Sequence, residues 1–133
     1  MTEAEIRTAL GAHLSTMVEC PPITWPAKPK PRDPVYLVVE FVTVTREALT
    51  IGGTAERQTG YMQVTVCAEL GAYEGRALFW ADAIAQHCPR GMRLDEGSTS
   101  IEIPQPPSIA GQGYPDGAHW RLPVRVPYLA LSA

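Results

Sequence analysis

The chain has 133 residues, 45% of them hydrophobic, which is enough for one core of ordinary size and too short for two comfortable domains. Its 11 Lys and Arg stand against 14 Asp and Glu for a net charge of −3, so no broad basic surface is available to neutralise a nucleic-acid backbone, which argues against a dedicated DNA-binding domain. Cys20, Cys67 and Cys88 are odd in number and lack CxxC spacing, which argues against a disulfide framework and a structural zinc site and for buried thiols in a reducing compartment.

The N-terminal run TEAEIRTAL carries acids where a secretory signal needs a basic segment and then an apolar one. No apolar run approaches the ~18 residues that a membrane-spanning helix requires, and the expected place of synthesis and residence is cytoplasm, with no membrane partner. Thr2 and Glu5 form the S/T-x-x-E capping pattern, and Ile6, Ala9, Leu10, Leu14, Met17 and Val18 recur at helical spacing, which predicts an amphipathic helix over about 3–18. Pro21, Pro22, Pro26, Pro29, Pro31 and Pro34 then deprive residues 20–34 of backbone donors and dihedral freedom, so this segment is expected to be a stiff, extended connector. VYLVVEFVTVT, residues 35–45, is β-branched and aromatic on both faces except at Glu40, the pattern of a strand covered on both sides.

Residues 46–59 contain Gly52 and Gly53 in a polar setting between two strands and read as a long hairpin loop. From Gly60, Met62, Val64, Val66, Ala68 and Leu70 alternate with Tyr61, Gln63, Thr65, Cys67 and Glu69, the period of two of a half-buried strand. After Gly71 and Gly75 the period becomes helical. Ala77, Ala81, Ile84, Ala85 and Cys88 share one face of a helix over about 74–88, which Pro89 and Gly91 close. STSIEI, residues 98–103, is a short strand with Thr99, Ile101 and Ile103 inward, and 104–117 is too rich in Pro and Gly for regular structure. Trp120, Leu122, Val124, Val126 and Tyr128 alternate with Arg121, Pro123, Arg125 and Pro127, which predicts an edge strand or one interrupted by bulges. The expected fold is a single α+β domain over 1–133, with a mostly antiparallel four-stranded sheet, two helices packed on it, and the order α-β-β-α-β-β.

The residues hold no recognisable catalytic constellation. His13, His87 and His119 fall in three separate elements without metal-ligand spacing, and His87 and Cys88, neighbours on a helix, point about 100° apart. There is no G-x-S-x-G elbow, and GQGYPDG lacks the preceding strand, the following helix and the Lys-Ser/Thr pair of a phosphate loop. The expectation is a protein that is not an enzyme and carries no cofactor and no metal. Lys28, Lys30 and Arg32 form the one local basic cluster, held outward by proline spacing, and suit an acidic protein surface, DNA phosphates or plain solvation. Trp25 beside them either anchors an intersubunit pocket or folds back over its own helix. Trp80 and Trp120 belong to strongly patterned elements and are assigned to the core.

Taken in order, the N-terminal helix, the Pro-rich lead into a Val-rich strand, the Gly60-x-x-Gln63 strand start, the helix closing on Pro89-Arg90-Gly91, and the Asp116-Gly117 turn before Trp120, Pro123, Val124, Val126 and Tyr128 resemble small siphophage tail terminator proteins over nearly the whole chain. That resemblance implies a homohexameric ring on the head-proximal end of the tail tube, which halts addition of the major tail tube protein and presents a surface to the head-side connector. It further implies a virion protein assembled in host cytoplasm, with DNA passing through an acidic lumen without specific binding. Arg46, Glu47, Glu56 and Arg57 in the 46–59 loop are the candidate charged contacts to tube or neighbour. Trp25, Lys28, Lys30 and Arg32 are the candidate intersubunit or connector contacts. Alternative readings are a neck or head-to-tail adaptor or minor tail subunit, a peptide-binding module using its edge strand, and a small hydrolase using His119 and Asp116.

Overall fold

The computed structural model describes residues 3–17, 21, 23–24, 35–49, 51, 55–69, 75–97, 99–109, 113–116 and 119–132. In chain order these form α1 (Glu3–Ser15), β1 (Ile23–Thr24), β2 (Val35–Ala48), β3 (Glu56–Glu69), α2 (Gly75–His87), β4 (Arg93–Glu96), β5 (Thr99–Glu102), β6 (Ser108–Ile109), β7 (Tyr114–Asp116) and β8 (His119–Ser132). The strands make one eight-stranded sheet, β1-β2-β3-β8-β5-β4, with β6 and β7 also paired to β8. β1 runs parallel to β2 and every other pairing is antiparallel, and the sheet curls into a half-barrel that carries both helices.

This corrects the expected four-stranded α+β sheet. The difference comes from strand length and from the segments between the long strands. β2 and β3 continue through to Ala48 and resume at Glu56, so most of 46–59 is ladder, and only residues between 48 and 56 connect the two strands. The Pro- and Gly-rich 104–117 stretch holds β6 and β7, each too short to announce itself by period. β4, a strand of four residues with three charges, pairs with β5 as a hairpin whose turn places Gly97 at φ 59°.

β8 is also corrected, from an edge strand to a central one. Its ladder with β3 runs without a register shift from Glu56↔Ser132 to Glu69↔His119, although Pro123 and Pro127 have no N–H to give. Those prolines therefore face the other edge of β8, where pairing is discontinuous: β5 takes 129–132, β6 takes 124–125 and β7 takes 119–121. The interruption that proline requires falls in the neighbouring strands and leaves β8 itself whole.

The core lies between the helices and one face of the sheet. Ile6, Leu10 and Leu14 of α1 and Ala77, Ala81 and Ile84 of α2 are buried against Leu37, Val39, Met62, Val64, Val66, Ile101, Leu122, Val124 and Val126. α2 packs on β3 and β8, and α1 on β4 and β5. Thr99 Oγ1 donates to Glu5 Oε2 at 3.0 Å, and the Arg7 guanidinium sits 5.3 Å from the centre of the Phe41 ring, tying α1 to β5 and to β2. At this end the sheet is closed on its second face too, since Tyr36, Thr65 and Cys67 are buried.

The two helix ends hold each other. His13 Nε2–H donates to the His87 carbonyl at 2.6 Å and His87 Nε2–H donates to the His13 carbonyl at 2.7 Å, with the rings stacked 4.2 Å apart. A carbonyl only accepts, so both rings carry their proton on Nε2, and each imidazole bonds a last-turn carbonyl of the other helix; that of His13 also accepts from the Thr16 N–H and hydroxyl. α2 then ends at Pro89-Arg90-Gly91, with Gly91 at φ 89° and its N–H donating to the Ile103 carbonyl at 2.8 Å.

Candidate assembly surface

Past Phe41, which Arg7 of α1 still reaches, β2 emerges into solvent. Residues 42–49 are all exposed, including Val42, Val44 and Leu49, and Ile51 beyond them is fully exposed. β2 was expected to be covered on both faces throughout. That holds only for its first residues, because α1 and α2 contact β4, β5, β8 and β3 and leave this end of β2 without a layer above it. Among the described residues only β1 pairs with the outer side of β2, at Leu37 and Val38.

A bulge sets the geometry of this arm. Thr43 pairs with Gly60 and Thr45 with Thr59, so Val44 is the extra residue, 63% exposed. Gly60 is required opposite it, since a Cβ there would run into the Val42 carbonyl oxygen and come within 2.9 Å of the Tyr128 hydroxyl. Gln58, fully buried, donates from Nε2 to Thr43 Oγ1 at 3.1 Å and to the Tyr128 hydroxyl at 3.2 Å, which pins the root of the arm to β8. Thr45 and Thr59 hydroxyls bond across the pair.

The four charged residues singled out in the 46–59 stretch are brought together, as cross-strand partners on the arm. Arg46 Nη2 reaches Glu56 Oε2 at 3.1 Å on the helix-covered face, where Gln58 also points. Arg57 Nη2 reaches Glu47 Oε2 at 2.6 Å on the opposite face. All four are partly to largely exposed, so these pairs stiffen the arm and remain open to exchange with a partner. Trp25, Lys28, Lys30 and Arg32 lie outside the described residues. Asp116 and His119 fall at the junction of β7 and β8, as each other's Cα partners.

β4 stands at the other end of the strand order among the described residues. Beside it α1 and β4 frame a groove of about 250 Å³ floored by Ala9, Ala12 and Leu94 and rimmed by Asp95 and Glu96, below the ~300–1,000 Å³ usual for small-molecule sites. Sequence reasoning did not assign β4 at all, although the alternation of Met92, Leu94 and Glu96 ahead of Gly97 was a readable signal. Among the described residues no group of three or more His, Cys, Asp and Glu is placed to hold a metal ion, and no helix is long and apolar enough to cross a membrane.

A search of curated proteins finds no match. One solved structure, of a protein known only by a sequence identifier, superposes with a TM-score of 0.80 at 20% identity, covering 98% of this chain and 96% of its own, which establishes a shared fold. The family model described as phage tail terminator protein matches residues 5–128, from the first turn of α1 to the Tyr128 that anchors the arm. The chain belongs to the phage tail terminator family.

Proposed function

We propose that this protein closes a siphophage-type tail: copies of the chain form a hexameric ring on the head-proximal end of the tail tube, stop further addition of tube subunits, and offer their outer surface to the head-side connector. Membership of the terminator family, over residues 5–128, is the observation that carries this reading. A structural virion component of the tail needs assembly surfaces and no reactive centre. The exposed apolar side chains Val42, Val44 and Leu49 at the far end of β2 supply such a surface.

Head-to-tail contacts close into a ring only when the rotation per subunit fits. In the ring, a formal −3 per subunit would keep the lumen from holding DNA. Assembly takes place in host cytoplasm, before the ring meets its connector. Arg46, Glu47, Glu56 and Arg57 stand as its candidate contacts to tube or neighbour. Tails assembled with and without the protein, viewed by electron microscopy, test the role. Tubes of defined length with the protein and overgrown tubes without it are expected; equal length distributions would overturn it.

A further inference from the structure

We propose that the groove between α1 and β4 seats the basic run Lys28-Pro29-Lys30-Pro31-Arg32 of a second copy of the chain, and that this charge-matched contact joins neighbouring subunits. The inference rests on the ring reading and names the surface that would make the joint.

The groove is built to take a cation. Asp95 and Glu96 rim it, and neither forms an ion pair among the described residues. Glu96 stands on the helix-covered face of β4, where its cross-strand partner Thr99 is buried, so its half-buried charge is worth more to a bound cation than a fully exposed one. Ala9, Ala12 and Leu94 make an apolar floor along which the methylene stem of a lysine or arginine can lie while its head reaches the carboxylates.

Charge complementarity selects the occupant. Lys28 and Lys30 are the chain's only lysines, and with Arg32 they make its densest run of positive charge. Pro29 and Pro31 restrict the backbone of that run before it binds, so docking costs less ordering than it would for a flexible segment. Strand order points to a second copy as its source. Lys28 follows Thr24 by four residues and Arg32 precedes Val35 by three, reaches of at most ~14 and ~11 Å, whereas β3, β8 and β5 separate β2 from β4 by ~19 Å along the sheet, and the core fills the inside of the curl.

The joint is heterologous, and charge-swap complementation on the full chain reads this directly. One variant carries Lys28→Glu, Lys30→Glu and Arg32→Glu, the other Asp95→Lys and Glu96→Lys; circular dichroism with thermal melting confirms that each is folded. Native mass spectrometry of the free protein and electron microscopy of capped tail tubes count the subunits. The wild type is expected as a closed ring, and each variant alone should show at least a tenfold drop in it. An equimolar mixture should restore a ring of one-to-one composition, because each reversed run then meets a reversed groove and each native run a native one.

A ring that persists in either variant overturns the groove contact and leaves the ring reading standing. A ring lost in both and not restored by mixing overturns it as well, in favour of a contact within one subunit when all the substitutions combined in one chain restore the ring. A wild type that stays monomeric both free and on tail tubes overturns the ring and the joint together.

Discussion

The two ends of the β2–β3 ladder are built from similar residues and meet opposite fates. At one end Leu37 and Val39 face Val66 and Val64 beneath the helices and are sealed from water. At the other, Val42 and Val44 stand in solvent, and the ladder is held by the bulge, the Gln58 bonds and two exposed ion pairs. β-branched residues favour a strand at both ends, but burial needs a second layer, and α1 and α2 reach only one of them. The helix-covered end supplies most of the free energy of folding, and the far end contributes little while leaving apolar side chains exposed.

Truncation separates the two ends most sharply. Leu37→Ala should cost about 2–5 kcal/mol, because a fully buried side chain leaves a cavity in a close-packed core. Val44→Ala should change stability by less than ~0.5 kcal/mol, and urea titrations of both at a concentration below assembly, with unchanged slopes, would show the contrast. Comparable losses would mean that the arm is covered within the monomer.

One contribution to the alkaline limb of stability comes from the covered end. Burial pushes the Cys88 thiol from its ordinary 9.0 up to about 11, so the folded chain keeps this proton after the unfolded chain has released it. The contribution is level below pH 9, falls as pH rises from 9 toward 11, and amounts to a loss on the order of 2–3 kcal/mol at the top of that window. Urea midpoints at several pH values, compared between wild type and Cys88→Ala, should show a slope that the substitution removes.

At the junction between the ends, Gly60→Ala is expected to destabilise by about 1–3 kcal/mol, since the Val42 carbonyl it would meet is backbone and cannot swing aside. Thermal denaturation measures it; a neutral effect would show that the bulge relaxes freely. The smallest change belongs to the arm's ion pairs. With Arg57 and Glu47 45% and 51% exposed, Arg57→Ala should cost less than ~0.5 kcal/mol and nothing in high salt, whereas charge reversal at Arg57 is checked by ring formation and tail length.

Periodicity made much of the covered end legible. Ala77, Ala81, Ile84 and Cys88 on one helical face, and Met62, Val64, Val66, Leu122, Val124 and Val126 at period two, all lie in the buried core. The arm was misread as a loop because Arg46, Glu47, Glu56 and Arg57 look like turn polarity in one dimension. Their role as cross-strand partners exists only once the register is set. β6 and β7 were missed because strands of two or three residues are too short to show a period, and β4 because its alternation is carried by a single apolar pair, Met92 and Leu94.

By itself the sequence determined the helices, the three long strands in outline and the likeness to tail terminators, because these depend on spacing and turn chemistry within a segment. Tertiary structure alone decided that β8 is central, that β2 outruns its cover, and that Arg46 and Glu47 become cross-strand partners of Glu56 and Arg57 on an exposed arm. Those facts belong to strand order and to where the helix layer stops. Contacts between residues far apart in the chain fix both, and local pattern does not encode them.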